Sequence, residues 1–299
     1  MASLKDKVQK VLSENRTLVL GAQILLGFQY QAVFRPKFDD LPALGKTLEV
    51  VALALLLCTI LCLIAPSSFH RISEAGESTR RQYAYSKVMI LLALVPFALA
   101  LGVNFVMATE ASLGLGIALG LGAGAIALPL ALWFGVPLML HDSPQSSDEQ
   151  DEKVPLQEKI NELLTESRIV LPGAQALLGF QLAAYLTEGF DKLSAATKMV
   201  HTGSLICIAL TMVLLMTPAP LHRIGENGEN TERFNKAATA LVLASLVPLS
   251  LGLAGELYVA LEKTLENTRV AWTGAGLFVA GALLLWFLVP LLLNRRALD

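Results

Sequence analysis

Residues 14–29, ENRTLVLGAQILLGFQ, return 152 positions later as residues 166–181, ESRIVLPGAQALLGFQ, with ten identities in sixteen columns. At the same offset PSSFHRISEAGESTRR (66–81) returns as PAPLHRIGENGENTER (218–233), keeping Pro66, His70, Arg71, Ile72, Glu74, Gly76, Glu77, Thr79 and Arg81. Two blocks held in one register mark an internal duplication. The first copy covers residues 1–141 and the second residues 156–299. Between them, residues 142–155 carry Asp148, Glu149, Asp151 and Glu152 among Ser and Pro, the composition of a solvated tether.

Working outward from the repeat, 54% apolar and 16% charged residues, with a mean hydropathy of +0.58, lie on the membrane side of the usual soluble range. A net charge of −2 supplies no basic field for a nucleic acid. Cys58, Cys62 and Cys207 fall in apolar runs and read as small hydrophobes rather than a disulfide or metal framework.

Crossing about 30 Å of hydrocarbon takes about 20 residues of helix. Eight apolar runs approach or exceed that length: Thr17 to Phe34, Thr47 to Pro66, Ala84 to Ala108 and Ser112 to Leu140, then Ile169 to Leu186, Met199 to Pro218, Ala237 to Leu261 and Val270 to Leu293. Before each first run stands an amphipathic stretch, Leu4, Val8, Val11 and Leu12 in one copy and Leu156, Ile160, Leu163 and Leu164 in the other. Helical spacing predicts that both lie flat at the membrane surface. The expected fold class is therefore all-α: a polytopic membrane protein of eight transmembrane helices in two parallel four-helix repeats, each preceded by a short interfacial helix. Alternate sides of these spans carry 16 and 7 Lys and Arg residues, with Lys87 near the start of the third run counted on the richer side, which places that side, with both termini, in the cytoplasm. An even number of spans per copy gives both copies one orientation, an internal pseudo-dimer rather than an inverted repeat.

The blocks E-x-R-x4-G-A-Q-x-L-L-G-F-Q and P-x3-H-R-I resemble a bacterial family of small four-span membrane proteins, some of whose members bear an automatic sodium:proton antiporter label. The resemblance covers each half of the chain. It implies that single-copy relatives assemble as dimers, and it raises ion transport as an expectation.

Strongly polar side chains within spans are the first functional candidates, because each costs several kcal/mol without a partner. Gln23 and Gln29 recur as Gln175 and Gln181. A spacing of six residues sets them about 120° apart on a helix, so one can face its own bundle and the other the second copy. Gln23 and Gln175 are expected at equivalent places about the pseudo-two-fold axis, either as packing hydrogen bonds or as the lining of a path. Gly21, Gly27, Gly173 and Gly179, with the stripe Gly116, Gly120 and Gly124, suggest tight packing of the first and fourth spans. Pro96 and Pro248 predict kinks that free carbonyls near Leu92 and Ala244. Glu256 stands where the first copy has Asn104, and Glu49 where the second has His201. An antiporter of two equal copies should keep its acid in both, so either one half is specialised or Glu256 reaches the outer interface. The loop residues His70, Arg71, Glu74 and Glu77, with His222, Arg223, Glu226 and Glu229, read as an ion-paired interfacial helix, as a gate or partner contact, or as His and carboxylate ligands on one face for a divalent metal.

The sequence contains no nucleophile with its base, no phosphate loop and no zinc spacing, and no pattern specifies a cofactor. Two functions follow. One is permeation of a small ion or solute, antiporter or channel-like, along the paired glutamines. The other is a non-catalytic accessory subunit that binds membrane lipid or a larger membrane complex. The orientation is testable by cysteine probes in place of Asp39 and Leu193, which are expected to label from outside the cell and not from the cytoplasm.

Overall fold

The threonine shared by both copies of the second block begins a helix. Thr79 Oγ1 accepts from Gln82 N at 3.0 Å and Thr231 Oγ1 from Phe234 N at 3.0 Å, so each caps the long helix that follows. The structure, a computed structural model, describes residues 4–135, 154–222 and 229–294, the side chains of residues 111–112 and 166–170 excepted. The acidic run Asp148 to Glu152 and the motif residues Arg223 and Glu226 lie outside the described residues.

Each copy runs through five helices in the same order. The first comprises α1 (Leu4–Ala32), α2 (Pro36–Asp39), α3 (Ala43–Ile72), α4 (Arg80–Leu113) and α5 (Leu115–Leu130). The second comprises α6 (Leu156–Ala184), α7 (Glu188–Asp191), α8 (Ala195–Met216), α9 (Glu232–Leu265) and α10 (Thr268–Leu283). The last long helix of each copy passes into a π-helical turn, Ala131–Gly135 or Leu284–Leu288, which in the second copy leads into one more helical turn, Val289–Leu292. Helix α3 runs through Pro66, whereas α8 stops before Pro218, where Pro220 adds a second missing N–H within one turn. Pro96 and Pro248 lie inside α4 and α9, both 34 residues long and continuous.

Among the described residues six helices are long and apolar enough to cross a membrane: α3, α4, α5, α8, α9 and α10. The two remaining long helices, α1 and α6, are those that carry the repeated glutamines. Their polar content, in Gln23, Gln29 and Gln31 or Gln175 and Gln181, offsets their apolar runs. They also depart from expectation in being single helices of 29 residues, with no break between the amphipathic stretch and the apolar run. The amphipathic faces are not left for a membrane surface. Leu4, Val8 and Leu12 bury against Tyr83 of α4, and Ile160 and Leu163 against Phe234, Ala238 and Val242 of α9.

The halves meet along α1 and α6, which pack on each other, with α3 against α9. A Cβ on Gly27 would collide with the Phe180 ring, and one on Gly173 with the amide of Gln23, so both glycines are needed for this approach. The fourth helices differ between copies. The π-helical turn after α10 leans on α3, where the fully buried Trp286 donates Nε1–H to Leu61 O at 2.9 Å. Helix α5 packs on α4 through Gly122, which meets Gly102 and Val106, while Gly116, Gly120 and Gly124 face open space. The expected tight packing along that stripe does not form, because the contact uses the face one turn-fraction away.

At the end of the bundle opposite the start of α1, Asp39 joins the copies. Its Oδ2 accepts from Lys192 at 2.7 Å and its Oδ1 from Lys263 at 2.8 Å. The hydrogen bonds from Lys192 and Lys263 hold its carboxyl down at about 2. A depressed carboxyl adds stability above its unfolded value near 4 and loses it as pH falls towards the folded value. Asp39→Asn is thus expected to lower the thermal midpoint in detergent at pH 7, and the gap to the unmodified protein should close as the pH approaches 2.

Candidate functional site

Polar groups from four helices converge where the halves meet. Helix α6 supplies Gln181, α8 supplies His201 and Ser204 one turn apart, α9 supplies Glu256, and α1 of the other copy supplies Tyr30. Glu256 is 7% exposed, Gln181 2% and His201 2%, so the group is sealed inside the bundle. Gln181 Nε2 donates to Glu256 Oε1 at 2.6 Å and to Ser204 Oγ at 2.9 Å. Ser204 Oγ lies 2.6 Å from both Glu256 Oε1 and Gly252 O and donates its one proton to either. His201 Nδ1 stands 3.6 Å from Glu256 Oε1 and 2.9 Å from the Tyr30 hydroxyl. The imidazole tautomer decides which of that last pair donates.

This arrangement saturates one carboxylate oxygen and leaves the other without a protein partner: Glu256 Oε2, Gln181 Oε1 and His201 Nε2 have no hydrogen bond among the described residues. A carboxyl buried in this way needs a proton or a cation on its free side, since an isolated carboxylate in an apolar interior costs many kcal/mol. A cavity with room for about one water adjoins Glu256, lined by Leu26, Tyr30, Leu57, Leu253 and Gln181.

Beyond the cluster, towards Asp39, an aromatic layer closes the seam. The His201 ring lies nearly parallel to Tyr30, 7° between planes, and edge-on to Phe190 at 5.0 Å and Phe34 at 6.4 Å. In the opposite direction the seam holds the buried Gln23 among apolar side chains, then Asn15, whose Nδ2 donates to Leu63 O at 2.7 Å, and the buried Arg16. It then widens into a cleft of about 570 Å³ lined by His70, Arg71, Glu77, Lys159, Glu162 and Lys236. Ser204 also borders a groove of about 390 Å³ among α8, α9 and α10.

The sequence candidates are divided by this geometry. Gln181 and Glu256 come together, and Gln29 makes a parallel pair, donating Nε2–H to the Glu49 carboxylate and, at 3.3 Å, to Glu49 O. Glu256 therefore does not reach outward to an interface; it bonds inward to Gln181 and Ser204. Gln23 and Gln175 are not equivalent. Gln23 is fully buried in the space left by Gly173, with neither amide atom paired, whereas Gln175 is exposed. The cause is the uneven α1 and α6 contact, since Gly21, the counterpart of Gly173, has nothing near it. Asn104 is half-buried on α4, and Leu92 and Ala244, the sources of the freed carbonyls, are exposed.

In the first copy the loop motif is not an interfacial helix. Helix α3 ends at Ile72, and Ala75 and Gly76 adopt left-handed φ values of 48° and 79°, so His70, Glu74 and Glu77 do not share a helical face. Gly76 N closes the turn on His70 O at 3.0 Å. Glu77 instead holds the start of the second copy, accepting from Val154 N at 2.7 Å and pairing with Lys159, while His70 Nε2 lies 3.5 Å from Glu162. Glu74 is buried, the His222 ring lies tilted against Phe234 at 4.7 Å and Glu229 is exposed. Among the described residues no three His, Cys, Asp or Glu side chains gather for a metal.

Sequence reading missed His201, Ser204 and Tyr30 as members of the site, and gave Glu49 no part in one. The signal was present in two unmatched columns taken together: Glu49 opposite His201, and Asn104 opposite Glu256. The pairing pattern predicts opposite outcomes for two leucine substitutions. Gln181→Leu removes two donated hydrogen bonds and should destabilise the protein by about 1–2 kcal/mol. Gln23→Leu removes an amide with no partner and should leave the unfolding midpoint in detergent unchanged or raise it.

Comparison with curated proteins and with solved structures returns no match. A family described as one of unknown function (DUF6328) matches twice, over residues 3–137 and 149–290, in line with the repeat. That description attaches no antiporter label. The chain belongs to this family and carries its sequence in two tandem regions.

Proposed function

We propose that the protein moves protons, coupled to a second small ion, along the seam between its copies, with Glu256 as the group that binds and releases the proton. The observation that carries this reading is the buried Glu256 carboxyl, with Oε1 held by Gln181 and Ser204 and Oε2 unpaired. The donors fix the carboxyl, its second oxygen has no partner and a water-sized space adjoins the residue, an arrangement suited to gaining and losing a proton.

The reading includes eight spans, with α1 and α6 crossing between the six more apolar helices, a bacterial inner membrane, and both termini in the cytoplasm. In that orientation the cleft at His70 and Glu162 is the cytoplasmic mouth, and the layer of Phe34, Phe190 and His201 closes the other side. Opening one side while the other stays shut would expose Glu256 alternately. His201 and Tyr30 stand on the closed side, placed to pass a proton through the aromatic layer.

An accessory role is the second reading, favoured by α5. Most of its apolar surface is uncovered, including Leu115, Ile117, Leu119 and Leu128. Such a face suits lipid or a helix of a larger membrane complex.

Proteoliposomes loaded with a pH-sensitive dye separate the two. Addition of sodium or potassium against a proton gradient is expected to drive proton flux, and Glu256→Gln should reduce it at least tenfold with the fold retained. Absence of flux for proton, sodium and potassium against a working control, or full flux in Glu256→Gln, would overturn the proposal.

A further inference from the structure

The two copies match at Gln29 and Gln181, yet the acids nearest those glutamines come from different helices. In the second copy the partner is Glu256 on α9, the third helix of the four long ones. In the first copy it is Glu49 on α3, the second long helix. Each acid is replaced in the other copy: Glu49 aligns with His201, and Glu256 aligns with Asn104. Column by column the acid looks lost twice. In space it is kept twice, always on the amide of the last glutamine of GAQxLLGFQ.

We infer that Glu49 and Glu256 are two versions of one proton-binding carboxyl site, one in each copy, made by an exchange of the helix that carries the acid. The inference rests on the reading of Glu256 as a proton-binding group. Both glutamines are at least nine-tenths buried, Gln29 at 7% exposure and Gln181 at 2%, so neither amide has water as an alternative partner. A single donated amide fixes one carboxylate oxygen in each site, which orders the carboxyl without neutralising it.

The surroundings make the sites unequal. Glu256 has Ser204 and His201 from α8, Gln181 from α6, and Tyr30 from α1, with apolar Leu53 and Leu57 from α3. Glu49 has Gln29 from α1, no ion pair reaches it among the described residues, and it is half-buried rather than sealed. The position aligned with Ser204 is Ala52, so the second donor is missing from the first copy. Two non-identical carboxyl sites give the chain a capacity of two protons, with the exchange at Glu49 nearer to the surface and that at Glu256 gated by the seam.

Dicyclohexylcarbodiimide, a membrane-soluble reagent that adds to protonated carboxyl groups, tests this without any transport assay. The full chain in vesicles is expected to take label at both Glu49 and Glu256 on peptide mapping. Glu49→Gln and Glu256→Gln should each lose one of the two labels, and the double variant both. The triple variant Glu49→His, Ala52→Ser, Asn104→Glu, which gives the first copy the second copy's arrangement, should move the first label to position 104. Label at Glu256 with none at Glu49 in the unmodified protein would overturn the inference and leave the transport proposal standing. Label at both with no proton flux would uphold the two sites and overturn transport. Because the unmodified chain alone decides the first point, a variant that fails to fold does not blur the result.

Discussion

The close approach of α1 to α6 sets the geometry of everything around it. It depends on two glycines, Gly27 and Gly173, whose missing side chains make room for Phe180 and Gln23. In a lipid solvent no hydrophobic drive pulls two helices together, so association relies on packing of this kind and on hydrogen bonds between helices. Once α1 and α6 are in contact, Tyr30 of the first copy reaches His201 of the second, and the apolar seam closes above and below Glu256. The cluster of Gln181, His201, Ser204 and Glu256 is built within the second copy, and the contact adds Tyr30 from the first.

The repeat does not make the two halves symmetric. Trp286 pins the end of the second copy to α3 through Leu61 O, whereas in the π-helical turn of the first copy Trp133 meets Phe97 of α4. Gln23 is sealed while Gln175 is exposed, and Glu77 has a partner in Lys159 while Glu229 lies in the open. Equal sequences in unequal surroundings are free to diverge, and the displaced acids Glu49 and Glu256 are an instance.

Much of the architecture was legible from sequence because it rests on period and repetition. The long apolar runs locate the helices, and the offset of 152 pairs them. What the sequence could not disclose depends on which face of each helix is covered. The amphipathic stretches looked like surface helices because Leu4, Val8, Leu12, Ile160 and Leu163 make an apolar stripe, but a stripe does not say whether lipid or Tyr83 and Phe234 will cover it. The Gly116, Gly120 and Gly124 row obeyed a packing pattern and found no partner, since Gly122 took the contact. The loop motif scanned as helical until the left-handed Ala75 and Gly76. Of the site, Gln181 and Glu256 stood out as polar residues in apolar runs, while Ser204 and Tyr30 are ordinary in a span until a carboxyl lies beside them.

The tether made by Glu77 bears on why the two copies share one chain. His70 meets Glu162 and Glu77 meets Lys159, contacts in which the first copy offers a loop and the second offers a helix start. With the roles exchanged, Glu229 would still meet Lys7, the residue aligned with Lys159, but His222 would face Lys10, aligned with Glu162, in place of an acid. The halves thus keep both pairs in one order and only one of them in the other, and two first halves together would lack the acid that meets His70. Fusion into a single polypeptide guarantees one of each in every molecule, turning a dimer that must select its partner into one whose composition is fixed at synthesis.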